Sequence, residues 1–179
     1  MSADSVPVVL PLTDFGSGGC QATRIYRELR HPLLRYVIGL GLDRDDAQDV
    51  VQEVFLRLHQ HLGAGGSDAN LRSWLFRVAH NLARNQQQRY DRRCEAPLNP
   101  ESDEVATTAT PESLVLKKEQ FQQLRSGIQQ LTACERECLL LRAEGLRYRE
   151  IGEVLGLPTS TVGDTVDRAV KKLAEHCHV

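Results

Sequence analysis

Apolar residues recur along this chain at spacings of three, four and seven. Nowhere do apolar and polar residues alternate long enough to make a strand, so the pattern predicts an all-α protein. Ile25, Leu29, Leu33, Tyr36 and Val37 set a first helix over about 21–39, with a break or kink expected at Pro32. Asp43 is placed to cap a second helix that runs to about Leu62, and the acids that follow suit the positive end of its dipole. Its apolar stripe is Val50, Val51, Val54, Phe55, Leu58 and Leu62. Asp45, Asp49, Gln52 and Glu53 turn away from that stripe. Gly63–Asp68 (GAGGSD) reads as a loop. A third helix follows from Leu71, with Trp74, Leu75, Val78 and Leu82 expected inward and Arg77, Asn81, Arg84 and Gln88 on another side.

The pattern changes over Cys94–Thr110 (CEAPLNPESDEVATTAT), which holds two prolines, four acids and no Lys or Arg. That composition describes a flexible acidic linker. Beyond it, Leu114, Phe121, Leu124 and Ile128 mark a helix over about 112–130. Thr132 and Glu135 have capping-box spacing and open a helix that Gly145 stops. A short helix over Tyr148–Leu155 closes at Gly156. Thr159 or Ser160 is placed to cap a last helix, with Val162, Val166, Ala169, Val170 and Leu173 inward. Two helices joined by a Gly-containing turn, the second amphipathic, suggest a helix-turn-helix. The expected architecture is two small helical domains, the second of four helices.

Charge sharpens this picture. The chain of 179 residues carries a net charge of −2, so any affinity for nucleic acid must come from local clusters. Such a cluster exists: Arg72, Arg77, Arg84, Arg89, Arg92 and Arg93 sit against a single acid, Asp91. Cations attract phosphate, and the interleaved Asn81, Asn85 and Gln88 can hydrogen-bond base edges. No apolar run is long enough to span a bilayer, and no secretory signal is evident, so a cytoplasmic protein without membrane insertion is expected. The five cysteines form no regular framework. Cys134 and Cys138 share a helix face, and His176, Cys177 and His178 end the chain, but thiols without a metal or redox role are the favoured reading. No phosphate-binding loop, zinc-protease or nucleophile-elbow motif occurs, so neither an enzyme nor a cofactor is expected.

The motifs in this order resemble those of bacterial RNA polymerase sigma factors of the extracytoplasmic-function (ECF) group. AQDVVQEVFLRLHQ (Ala47–Gln60) resembles the polymerase-binding helix of that family. LRSWLFRVAHNLARN (Leu71–Asn85) resembles its helix for the −10 promoter element, and Leu131–Val162 resembles its −35 domain. The Pro-, Gly- and Ser-containing start of the chain reads as a mobile segment over 1–20, and the resemblance implies a region-two domain over 21–93, a linker over 94–111 and a region-four domain over 112–179. It implies that Asp49, Gln52 and Glu53 contact core RNA polymerase. Arg77, Asn81, Arg84, Asn85 and Gln88 would hold the −10 strand, with Asn81 beside a flipped base. It also implies promoter DNA and an anti-sigma factor as partners.

The last helix departs from the family pattern. From Thr159 to Asp167 it has no Lys or Arg and carries Asp164 and Asp167. Two expectations compete. Either Ser160, Thr161, Asp164, Arg168, Lys171 and Lys172 still bind the −35 element, an Asp accepting from cytosine N4, or the domain docks on a protein instead. Gly152 and Gly163 are each expected to weaken their helices by about 1 kcal/mol relative to Ala. The alternative for the whole chain is a stand-alone helix-turn-helix regulator, which has no use for the Asp49–Gln52–Glu53 stripe.

Overall fold

The computed structural model of the chain describes residues 17–67, 69–91, 124 and 126–176, and all the regular structure among them is helical. The first three helices are α1 (Ser17–Gly39), α2 (Arg44–Gly63) and α3 (Leu71–Asp91). Residues 126–129 are helical, and α4 (Ala133–Ala143), α5 (Tyr148–Leu155) and α6 (Thr159–His176) complete the order. The expected linker, Leu114 and Phe121 lie outside the described residues.

Local chemistry sets the helix ends. The Asp43 side chain accepts from the Asp46 N–H at 2.8 Å and starts α2. Thr132 and Glu135 exchange both bonds of a capping box at the start of α4. Gly145 and Gly156 stop α4 and α5 at φ of 87° and 70°, a region that favours glycine. The last helix begins one residue earlier than its caps suggest: the Pro158 carbonyl accepts the Val162 N–H at 3.1 Å, and Thr159 and Ser160 lie inside the first turn. Pro32 does not break α1, which continues through it. Burial of Leu29, Leu33, Tyr36 and Val37 on one stripe offsets the backbone bond that proline removes.

Helices α1, α2 and α3 pack on one another, and α4, α5 and α6 form a second group. The groups do not stand apart. Cys138, Leu141, Leu146, Ile151, Val154, Val162 and Val166 join the same buried cluster as Leu33, Tyr36, Val54, Leu75 and Phe76. This double contact rotates the buried stripe of α3. Leu75 is inward as expected, but Phe76, Ala79, His80 and Ala83 are also buried, whereas Trp74, Val78 and Leu82 are half-buried. A helix with neighbours on two sides buries a wider arc than its strongest apolar stripe. Two other inward assignments fail: Leu124 is 40% and Val170 50% exposed.

Within the core, the Tyr36 hydroxyl and His80 Nδ1 lie 2.8 Å apart. Burial, with the nearby Arg84 cation second, lowers the His80 pKa to about 4. The unfolded chain therefore binds a proton near pH 6.5 that the folded protein refuses until about pH 4. Stability is complete above pH 6.5 and lost as pH falls below it. Urea denaturation at pH 7 and pH 5 should show about 2 kcal/mol less stability at the lower pH, and His80→Gln should flatten the difference.

The two suspect glycines have opposite roles. A Cβ at Gly152 would sit 2.5 Å from the Leu157 carbonyl oxygen, so the α5–α6 turn requires glycine there. A Cβ at Gly163 would meet only the Tyr148 ring, at 3.8 Å, an ordinary contact. Gly163→Ala should therefore raise stability by about 1 kcal/mol, read as a shifted denaturation midpoint at unchanged slope.

Candidate polymerase and nucleic-acid interfaces

On α2 the apolar stripe faces the core and leaves a continuous outer ridge. Asp49 and Gln52 are exposed, and Glu53 is half-buried with a 2.7 Å ion pair to Arg57 one turn on. The ridge holds one residue that sequence reasoning missed. Leu56 is 52% exposed and stands seven residues after Asp49, on the same face. Its spacing from Asp49 and its place outside the Val50–Val51–Val54–Leu58 stripe were the available signals. An exposed leucine among acids and an amide is the kind of apolar centre with polar rim that protein interfaces use.

On α3, Arg77, Asn81, Arg84, Asn85 and Gln88 are all exposed, on the side away from Leu75 and Ala79. The helix is fixed to the first lobe by amides: Gln86 donates to Asp46 at 3.0 Å, and Gln87 to the Leu40 carbonyl at 2.6 Å. The arginine face and the acid ridge therefore move as one body. At the start of α3, Ala69, Asn70, Ser73, Trp74 and Arg77 line a shallow pocket of about 120 Å³, closed on one side by Glu153. The loop before it has no aromatic residue, but the Trp74 ring reaches the pocket, stacked on His61 at 4.8 Å and 23°. Trp74 is thus half-buried: it packs against the core cluster and also forms a wall of the pocket.

The second lobe presents α6 after a three-residue turn from α5. Ser160, Thr161, Asp164, Arg168 and Lys171 are exposed on it. Its three Lys and Arg side chains all have partners, Lys171 most loosely, 4.0 Å from Glu175. Lys172 lies 2.8 and 2.9 Å from the carboxylate oxygens of buried Glu135. That ammonium, with the Thr132 N–H, lowers the Glu135 pKa to about 2. Arg168 folds back on its own helix, donating to the Asp164 carbonyl at 3.3 Å and to Thr165 Oγ1 at 3.4 Å. The outward charge near the start of α6 is thus that of Asp164 and Asp167. Cys134 is exposed and Cys138 buried, with the Cys138 thiol pushed up to about 12 chiefly by burial. Among the described residues no group of three His, Cys, Asp or Glu side chains is gathered for a metal. Among those residues, too, no helix is long and apolar enough to cross a membrane.

A helical lobe with an acid–amide ridge and an arginine–asparagine face, packed on a helix-turn-helix lobe, defines a class of DNA-binding transcription proteins. Comparison with known proteins narrows it. Residues 25–93 match the family model described as Sigma-70 region 2, and residues 121–173 match Sigma-70, region 4. The RNA polymerase sigma-H factor of Pseudomonas aeruginosa is 32% identical over 78% of this chain and 77% of its own length. The ECF RNA polymerase sigma-E factor of Escherichia coli is 31% identical over 69% of this chain and 70% of its own. Among solved structures, the sigma factor RpoE of Bartonella quintana, in complex with the anti-sigma factor NepR, superposes with a TM-score of 0.67. It is 23% identical, and the match covers 88% of this chain and 98% of that one. The chain belongs to the ECF group of bacterial RNA polymerase sigma factors. It is a transcription initiation factor that directs RNA polymerase to promoters, and the stand-alone regulator reading is not favoured.

Proposed function

We propose a specific division of labour for this sigma factor. Asp49, Gln52 and Glu53, with Leu56 one turn beyond them, dock on a basic helical surface of core RNA polymerase. Arg77, Asn81, Arg84, Asn85 and Gln88 hold the separated −10 strand, and the Asn70–Ser73–Trp74–Arg77 pocket takes an unstacked base. The observation that carries this reading is the rigid joining of the two faces by the Gln86–Asp46 and Gln87–Leu40 bonds. A polymerase docked on one face then fixes where the other meets the DNA. Melting needs no nucleotide hydrolysis, since pocket capture offsets the cost of unpairing. The factor works in the cytoplasm without enzymatic activity of its own.

The second lobe reads the −35 element through Ser160, Thr161 and Asp164, with Arg168 and Lys171 on the backbone and Lys172 adding charge from its Glu135 anchor. Asp164 accepts a hydrogen bond from cytosine N4. With few phosphate contacts, this lobe's binding has a shallow salt dependence, since each contact adds only about 0.9 to the log–log slope. Residues 21–93 and 112–179 act as the two promoter-binding domains and 94–111 as their linker. An anti-sigma factor is the natural inhibitor, as the solved relative in complex with NepR suggests. Run-off transcription from a promoter library with purified core enzyme, followed by footprinting, tests the scheme. Protection over both elements supports it; initiation without −35 protection would reject the role given to α6.

A further inference from the structure

The start of α4 holds two thiols at different depths. Thr132 caps this helix, so Cys134 is its second residue, and Cys138 follows one turn later on the same face. Cys134 is exposed, whereas Cys138 is fully buried in the core cluster that includes Leu141 and Tyr36. The Cys138 thiol is hydrogen-bonded to the Cys134 sulfur, and burial keeps it a neutral thiol. Spacing alone favours ordinary thiols; the difference in depth is what the structure adds. An exposed sulfur that a dissolved oxidant can reach, backed by a second sulfur that it cannot, is the arrangement of an attacking and a resolving cysteine.

We propose that Cys134 and Cys138 form a peroxide-responsive pair that closes to a disulfide and loosens the start of α4. The Cys134 sulfur attacks one oxygen of hydrogen peroxide, the O–O bond breaks, and the products are a sulfenic acid on Cys134 and water. The Cys138 sulfur then attacks the Cys134 sulfur, and the sulfenic oxygen leaves with the Cys138 proton as a second water. The two thiols lose two electrons, which the peroxide gains. Cα atoms four residues apart on a helix are separated by about 6 Å, within the span of a disulfide. Their Cβ atoms are about 5–6 Å apart, wider than a relaxed disulfide allows, so the first turn must give way for the bond to close. A disulfide strained in this way is readily reduced, which suits a reversible switch rather than a permanent staple. Two features depend on that turn: the Thr132–Glu135 capping box starts the helix, and Glu135 anchors Lys172 of α6 at 2.8 Å. Drawing the Cys138 sulfur toward Cys134 also takes it from its place in the core. Oxidation therefore weakens the second lobe where α4 holds α6.

The test uses the full chain with Cys20, Cys94 and Cys177 replaced by Ser, so that only this pair remains. The protein is treated with hydrogen peroxide, then unfolded, alkylated and weighed by mass spectrometry. The expected product is a monomer lighter by two hydrogens, with both thiols blocked to alkylation and both recovered on reduction. Its thermal midpoint should lie about 2–4 °C below that of the reduced form, the effect of losing one helix cap, and should return on reduction. Two single variants assign the steps. With Cys138→Ala, oxidation should stop at a sulfenic acid on Cys134, trapped by a cyclic dione. With Cys134→Ser, buried Cys138 should react at least ~10-fold more slowly than the pair does. The disulfide measurement itself does not depend on either variant folding. Cys134 oxidised while Cys138 stays free, a bond between two copies of the chain, or a closed pair whose midpoint is unchanged or higher would overturn the proposal.

Discussion

Reversing the charge at Asp49 and Glu53, as Asp49→Lys with Glu53→Lys, is expected to abolish promoter-directed initiation while leaving the protein folded. Asp49 is exposed, and Glu53 pairs with Arg57 on its own helix, so the expected cost to folding is that of one surface ion pair, about 0.3–0.5 kcal/mol. A polymerase surface complementary to two carboxylates would meet two ammonium groups instead. Loss of a charged pair at an interface costs about 2–5 kcal/mol, so affinity for core enzyme should fall by at least ~100-fold. Co-purification with core enzyme and titration of run-off transcription measure this. Leu56→Ala, which removes the exposed apolar side chain at the end of the ridge without touching its charge, should weaken the same complex by a smaller factor. If the double reversal leaves core binding intact, the ridge is an ordinary solvated helix face.

Gly152→Ala is expected to be the most damaging small substitution in the second lobe. The new methyl would sit 2.5 Å from the Leu157 carbonyl oxygen, which belongs to the backbone of the turn and cannot rotate away. The same turn is held by the Leu157 N–H on the Gly152 carbonyl at 3.0 Å, so relief of the clash strains that bond too. Overpacking of this kind costs about 3 kcal/mol. For a chain of this length that lowers the melting temperature by roughly 6–12 °C. Thermal denaturation followed by circular dichroism checks it, and Gly163→Ala, stabilising in the same assay, is the matched control. A neutral Gly152→Ala would mean that the turn between α5 and α6 is looser than its geometry implies.

The acid–amide ridge and the arginine–asparagine face stood in the primary sequence because both are surface features of single helices. The spacing of Asp49, Gln52 and Glu53, and of Arg77, Asn81 and Arg84, fixes which residues share a face whatever surrounds the helix. Leu56 lies outside the apolar stripe and carries neither charge nor amide, so neither pattern marked it. The glycines divide for a related reason. Propensity treats Gly152 and Gly163 alike, and only the path of the chain after α5 brings a carbonyl onto one of them.

The Asp43 cap, the Thr132–Glu135 capping box, the glycine stops at Gly145 and Gly156, the acid ridge and the arginine–asparagine face were determined by the sequence alone. All arise from hydrogen bonds and periodicities that reach no further than about one helical turn. The rotated buried stripe of α3, the half-buried Trp74, the engagement of Lys172 by Glu135 and the meeting of Glu137, Glu144 and Glu153 with Arg84, Arg35 and Ser73 of the first lobe were decided by the tertiary structure. Each depends on where two helices distant in the chain cross, and a hydrophobic pattern says that a face must be covered without saying which helix covers it.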